Sequence, residues 1–164
     1  MKTMTNKVLD LIHNTHGEGK EKAIFVGDLI IKADKSNFYD DLNDTMKFFY
    51  KHIPLHFAYE EALINTLLKN NVLAEDEIVC MNKILQEHRE MKTNFEHLNA
   101  MSLKMDRGVS RSQKEEFLAI VNETVDALIK HAQYEDQFLY PVAGQKCDGN
   151  LLSIVEKEMA KIVY

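Results

Sequence analysis

The chain has 164 residues, 45% of them apolar and 28% charged, with 6 Gly, only 2 Pro, and 20 Lys and Arg against 26 Asp and Glu for a net charge of −6. This size and composition specify one domain, residues 1–164, with a self-sufficient core, and exclude disorder and low complexity. The acidic balance, with no two cationic residues adjacent, excludes a nucleic-acid partner.

No apolar run approaches the roughly 20 residues of a membrane span, and Met1 to Asp10 lacks the apolar core of a secretion signal. A cytoplasmic chain with no membrane partner is expected. Cys80 and Cys147 form neither a CxxC nor a zinc-knuckle spacing, so both are expected as free thiols.

Between the few Gly and Pro, apolar residues recur three and four apart, which predicts an all-α fold. Helices are expected at about residues 4–34, 38–70, 74–105, 112–142 and 149–163. The first is weakened by Gly17, Gly19 and Gly27, each costing about 1 kcal/mol relative to Ala. The second follows a cap at Ser36-Asn37 and is interrupted by Pro54, which removes the hydrogen bond to the carbonyl of Tyr50. The third follows Asn70-Asn71. The fourth follows a link in which Gly108 takes a left-handed backbone and Ser110 or Ser112 caps, and it closes at Pro141 and Gly144. Short links between long helices predict an antiparallel up-down-up-down four-helix bundle over about residues 4–142. The C-terminal helix, amphipathic from Leu151 to Val163, packs on that bundle or on a second subunit.

A shift of 75 residues lays the second helix over the fourth without a gap. The stripe Leu42, Met46, Phe49, Ile53, His56, Glu60, Leu63, Leu67 becomes Phe117, Val121, Thr124, Leu128, His131, Glu135, Phe138, Val142. Apart from Thr124, each stripe is apolar except for a His and a Glu one turn apart, at matching levels. The same shift relates His88 to His13, each 43 residues before the His of the next helix. Met81, Ile84, Leu85, His88, Met91 and Phe95 form the stripe of the third helix.

Two buried, unpaired carboxylates would be costly, but cations that neutralise them while neutral imidazoles coordinate through nitrogen remove the cost. The expected ligands are His13, His56, Glu60, His88, His131 and Glu135. Four nitrogens and two carboxylates suit two ions, with each Glu able to bridge. Imidazole and carboxylate without thiolate favour iron, with manganese or zinc as substitutes. The expected cofactor is therefore a di-iron centre, bridged by carboxylate and by oxo or hydroxo groups.

Several neighbours have other readings. His16 replaces His13 if the first helix is re-registered, while His52 and His97 lie outside the repeat. At about 100° per residue, Glu61 and Asp136 point away from the His five positions earlier, so Asp136 would need a π-bulge to ligate. Lys92 shares the inward face of His88 and either snorkels outward or pairs with a buried Glu.

His56-Phe57 with Glu60-Glu61, Glu87-His88, and His131 with Glu135 followed by Leu139-Tyr140-Pro141 resemble the hemerythrin-like (HHE cation-binding) family over about residues 8–145. The ligand set is similar to that of the di-iron domain of repair-of-iron-centres proteins, without their cysteine-bearing N-terminal domain. In oxygen-carrying members the third helix has His-x-x-x-His, where this chain has Lys92, and their Asp five after the fourth-helix His matches Asp136. The resemblance implies binding or reduction of a diatomic ligand, O2 or NO, in oxidative or nitrosative stress or iron-centre repair, with a redox or iron-sulfur protein as partner. The alternatives are an iron-storage or ferroxidase-type bundle and a metal-dependent sensor module. Against the ferritin-like alternative, no Glu stands three residues before any His.

Overall fold

A computed structural model describes residues 5–31, 38–105, 108 and 110–162. The described residues form five helices: α1 (Thr5–Ile31), α2 (Phe38–Lys69), α3 (Glu75–Met105), α4 (Arg111–Lys146) and α5 (Gly149–Ala160). There is no strand among them, and the chain is an all-α helical bundle. No helix among the described residues is long and apolar enough to cross a membrane.

The links are set by local chemistry. Asn71 takes a left-handed backbone, φ 53°, after α2, and Gly108 takes φ 81° before α4. Ser110 caps α4 through a reciprocal box: its hydroxyl accepts from the Gln113 amide while the Gln113 side chain accepts from the Ser110 amide. Asp148 caps α5 by accepting from the amides of Asn150 and Leu151. The expected cap at Ser36-Asn37 lies outside the described residues.

Neither proline ends its helix. α2 runs through Pro54, and α4 continues through Pro141 to Lys146 rather than closing at residue 142. The ladder bond lost at Pro141 is outweighed by the turn beyond it, where Ala143 is buried and its carbonyl accepts from the amide of Cys147.

α1 and α3 each pack against both α2 and α4, and α5 lies on α2 and α1 through Leu151, Leu152, Val155 and Met159. The interior divides into two apolar clusters. One includes Ala23, Val26, Phe49, Ile53, Phe57, Met91, Phe95, Val121 and Leu128. The other includes Val8, Ile12, Leu63, Leu67, Met81, Ile84, Leu139 and Val155. Successive helices from α1 to α4 cross between the clusters in alternating order. Each of α1 to α4 carries a buried His, with a buried Glu beside it on α2 and α4, between its two apolar stretches, so these six residues meet in one layer; Thr66, Ser102 and Thr124 are buried outside it. Cys80 and Cys147 are free, half-buried thiols.

Candidate metal centre

The layer contains His16 from α1, His56 and Glu60 from α2, His88 from α3, and His131 and Glu135 from α4, all buried. Two groups of donor atoms, each within 4.8 Å of one another, share both carboxylates: His16, His56, Glu60 and Glu135, and Glu60, His88, His131 and Glu135.

His13, expected on the strength of the 75-residue shift, does not enter the layer. It is exposed, and its ring stacks on Tyr140 at 4.1 Å. The buried stripe of α1 runs Val8, Ile12, His16, Gly19, Ala23, Val26, and His13 stands about 100° from Ile12 around the helix. Extending the apolar stripe along the first helix, instead of subtracting a repeat length, selects His16. The other five expected donors all lie in the layer.

Each carboxylate reaches both sides. Glu60 Oε1 is 3.0 Å from His56 Nε2 and 3.7 Å from His16 Nδ1, while its Oε2 is 3.4 Å from His88 Nε2. Glu135 Oε1 is 2.7 Å from His131 Nε2 and 3.1 Å from His88 Nε2, while its Oε2 is 3.3 Å from His16 Nδ1. His16 thus faces the layer through Nδ1 and the other three imidazoles through Nε2.

The outward nitrogen of every imidazole is held. Thr15 Oγ1 directs its proton to the carbonyls of Leu11 and Ile12 at 3.1 and 3.0 Å and so accepts from His56 Nδ1 at 2.7 Å. His131 Nδ1 donates to Glu87 at 2.6 Å, and His88 Nδ1 to Glu61 at 3.2 Å. His16 Nε2 donates to Asp136 at 2.9 Å. Asp136 is 39% exposed and also paired with Lys20, so it holds a histidine from outside the layer, as its angular position on the helix requires. Lys92 pairs with Glu61 at 2.7 Å.

These outward bonds place the N–H on the far side of His56 and His131 and turn the Nε2 lone pair toward a carboxylate oxygen. Two acceptors 2.7–3.0 Å apart in a buried layer repel unless a cation lies between them. The mismatch is visible in the hydrogen bonding: Glu60 Oε2 and His131 Nε2 are buried without a hydrogen-bond partner. The donor set, four imidazoles and two carboxylates, fits a pair of first-row divalent ions.

Without metal, protons fill that role. For His88, burial would lower the pKa, but hydrogen bonds to Glu135, Glu60 and Glu61 outweigh it and push it up to about 10. Burial of His16 is likewise outweighed by its bond to Glu135 and by nearby negative charge, so its pKa is raised. Glu135 is desolvated, which raises its pKa, yet the imidazoles of His131, His16 and His88 around it hold it well below the usual carboxylate range. Tyr140 stands out in the sequence only as part of a motif. Its buried hydroxyl, pushed upward by burial and by Glu60 and Glu135, stays protonated and donates to Glu60 Oε1 at 2.5 Å.

Thr15 and Glu87 are partners that the sequence reading does not assign. Their signal is positional, since each lies on the helix beside the one carrying the histidine it holds. His52 and His97 are exposed, as their place outside the repeat implied.

No curated protein and no solved structure matches the chain. The Hemerythrin HHE cation binding domain family matches residues 79–163, which contain His88, His131 and Glu135 together with Glu87 and Tyr140. With half of its length matched and a buried His/Glu layer able to hold metal, the chain belongs to the hemerythrin HHE cation-binding domain family.

Proposed function

We propose that the chain is a non-haem di-iron protein that binds or reduces a small diatomic ligand, O2 or NO, in the response to oxidative or nitrosative stress. His16 and His56 would hold one ion and His88 and His131 the other, with Glu60 and Glu135 within reach of both. The fold reading that accompanies this is a single up-down-up-down domain, supported by the alternating order in which α1 to α4 cross the two apolar clusters.

The observation that carries the proposal is the division of oxygens. Each carboxylate offers one oxygen to the His16–His56 side and the other to the His88–His131 side. That arrangement suits two adjacent cations better than one. When bound, two ferrous ions would supply electrons to a ligand that accepts them.

The chain's own residues supply the rest. Phe57 stacks on the His88 ring at 4.0 Å and seals one face of the layer against water, while Tyr140 covers the other and holds Glu60. Glu61, Glu87, Asp136 and Thr15 fix the four imidazoles so that their inward nitrogens stay lone-pair donors. With two imidazole nitrogens and two carboxylate oxygens offered to each ion, positions for a small ligand would stay open. Reduction of a bound ligand would need an electron-donating protein, and an iron-sulfur partner fits that need.

The test is the metal content of anaerobically purified protein, with a visible spectrum before and after air or nitric oxide. Two irons per chain and a new near-ultraviolet band are expected. The His13→Ala variant should keep both ions and His16→Ala should not. Absence of transition metal after reconstitution with ferrous iron overturns the reading.

A further inference from the structure

The two halves of the layer are built from the same donors, but the groups behind the donors differ. At the His88–His131 half, both imidazoles donate their outer N–H to carboxylates, Glu61 and Glu87. A carboxylate behind an imidazole raises its donor strength. This half also faces Glu60 Oε2, which has no hydrogen-bond partner. Its histidines stand on α3 and α4, which pack against each other along their lengths.

At the His16–His56 half the backing is weaker. His56 is backed by a neutral hydroxyl, Thr15. The carboxylate behind His16, Asp136, is lysine-paired like Glu61 and Glu87 but is more exposed, 39% against 26% and 29%. The Glu60 oxygen on this side, Oε1, is engaged by the Tyr140 hydroxyl at 2.5 Å, so part of its electron density is committed elsewhere.

Of the two halves only this one draws on α1, which contributes both His16 and the Thr15 that orients His56. α1 is the least self-sufficient long helix. It has no acidic residue in its first turn and no basic residue in its last, and it includes Gly17 and Gly27, beside which a methyl group would meet nothing within 4 Å. No packing requirement explains those two glycines.

We infer that the two metal positions are unequal and fill in order, the His88–His131 position first, and that the second divalent ion, at His16–His56, is the clip that seats α1 on the rest of the bundle. This rests on the two-ion reading above. It makes the chain a reporter of metal supply. At limiting metal it holds one ion with α1 secured by apolar packing and by the contacts of His16 and Lys20 to Asp136; at sufficient metal α1 is fastened in addition through a ligand and through the residue behind a second ligand.

The experiment uses the full chain, stripped of metal and titrated anaerobically with ferrous ion by calorimetry and with cobalt(II) by its visible bands. Amide hydrogen exchange is read after one and after two equivalents. Two steps separated by about tenfold or more in affinity are expected, with protection of α3 and α4 at the first and of α1 only at the second. Thr15→Val keeps all six donors and the side-chain volume; it should weaken the second step about tenfold and leave the first within about twofold. Glu87→Gln should do the reverse. His16→Ala should abolish the second step and the α1 protection.

Two indistinguishable steps, α1 protection at the first equivalent, or a first step lost in Thr15→Val overturns the inference while leaving a two-ion centre standing. Uptake of one ion or none by the unaltered chain overturns the two-ion reading itself, and this inference with it.

Discussion

Glu135→Gln isolates the charge at the middle of the layer while keeping its volume. Glu135 lies within 3.3 Å of three imidazole nitrogens, on His131, His88 and His16. His88, fully buried, is held at about 10 against an ordinary 6.5, a difference worth on the order of 5 kcal/mol and shared among Glu135, Glu60 and Glu61. Replacing Glu135 by a neutral amide removes one charged hydrogen bond to His88, worth about 1.5–3 kcal/mol. The dependence on pH has a fixed sign. The raised value of His88 contributes stability fully present below 6.5 and lost as pH rises through about 10. The depressed value of Glu135 contributes stability present above 4.5 and lost as pH falls through its folded value. The penalty of the substitution is therefore greatest between about pH 4.5 and 6.5, roughly 2 kcal/mol, and shrinks toward pH 10. Urea unfolding of both chains in chelator across this range measures it. A penalty of equal size at pH 6 and pH 10, or none at pH 6, would refute the charge-paired account of the metal-free layer.

Metal uptake at about pH 7.5 should release protons, because the pKa of His88, pushed up to about 10, keeps it protonated there without metal; calorimetry in two buffers of different ionisation enthalpy counts them, and zero release contradicts the assignment. Gly17→Ala should stabilise the metal-free chain by about 1 kcal/mol, raising the melting temperature by roughly 2–4 °C, since the added methyl meets nothing within 4 Å; a loss of stability would mean that Gly17 serves packing after all. Ser110→Ala should cost about 1 kcal/mol by breaking the capping box of α4, with metal stoichiometry unchanged; a thermal melt and a metal assay on the same sample decide both halves.

Much of this organisation is legible in the chain. Helical periodicity places the five helices within a few residues because each long helix has an apolar stripe and the links contain residues suited to turns, Asn71 and Gly108 among them. The repeat locates five of the six residues of the layer, since the stripe of α2 is buried throughout and that of α4 from Phe117 to Glu135. Past Glu135 the two stripes part: Phe138 and Val142 are only half-buried, while Leu139, Tyr140 and Ala143 are buried in their place. The same drift explains His13. A fixed shift preserves sequence spacing, whereas burial follows the geometry of each helix, and in α1 the inward face passes through residue 16. The partners behind the histidines are not legible, because each is a single contact between helices that no spacing within one helix encodes. Pro141 misleads for a related reason: local propensity marks a stop, and the burial of Ala143 overrides it.

A layer with two buried carboxylates between two apolar clusters must be neutral enough to fold before any ion arrives. Glu60 and Glu135 bring two negative charges to it. The same carboxylates push the pKa of His88 up to about 10, so that it holds a proton against their charge, and raise that of His16 in the same direction. The acids behind the histidines add nothing to the balance, since Glu61 is paired with Lys92, Glu87 lies 3.7 Å from Lys83, and Asp136 is bound to Lys20. Protons therefore stand where ions would stand, between a ring nitrogen and a carboxylate oxygen. Metal binding is an exchange of cations within a layer whose apolar boundaries are already formed. This contrasts with small zinc domains, whose cores are too slight to fold without metal. Here the helices supply the core, and the ion has only to displace a proton and draw in the one donor that α1 carries.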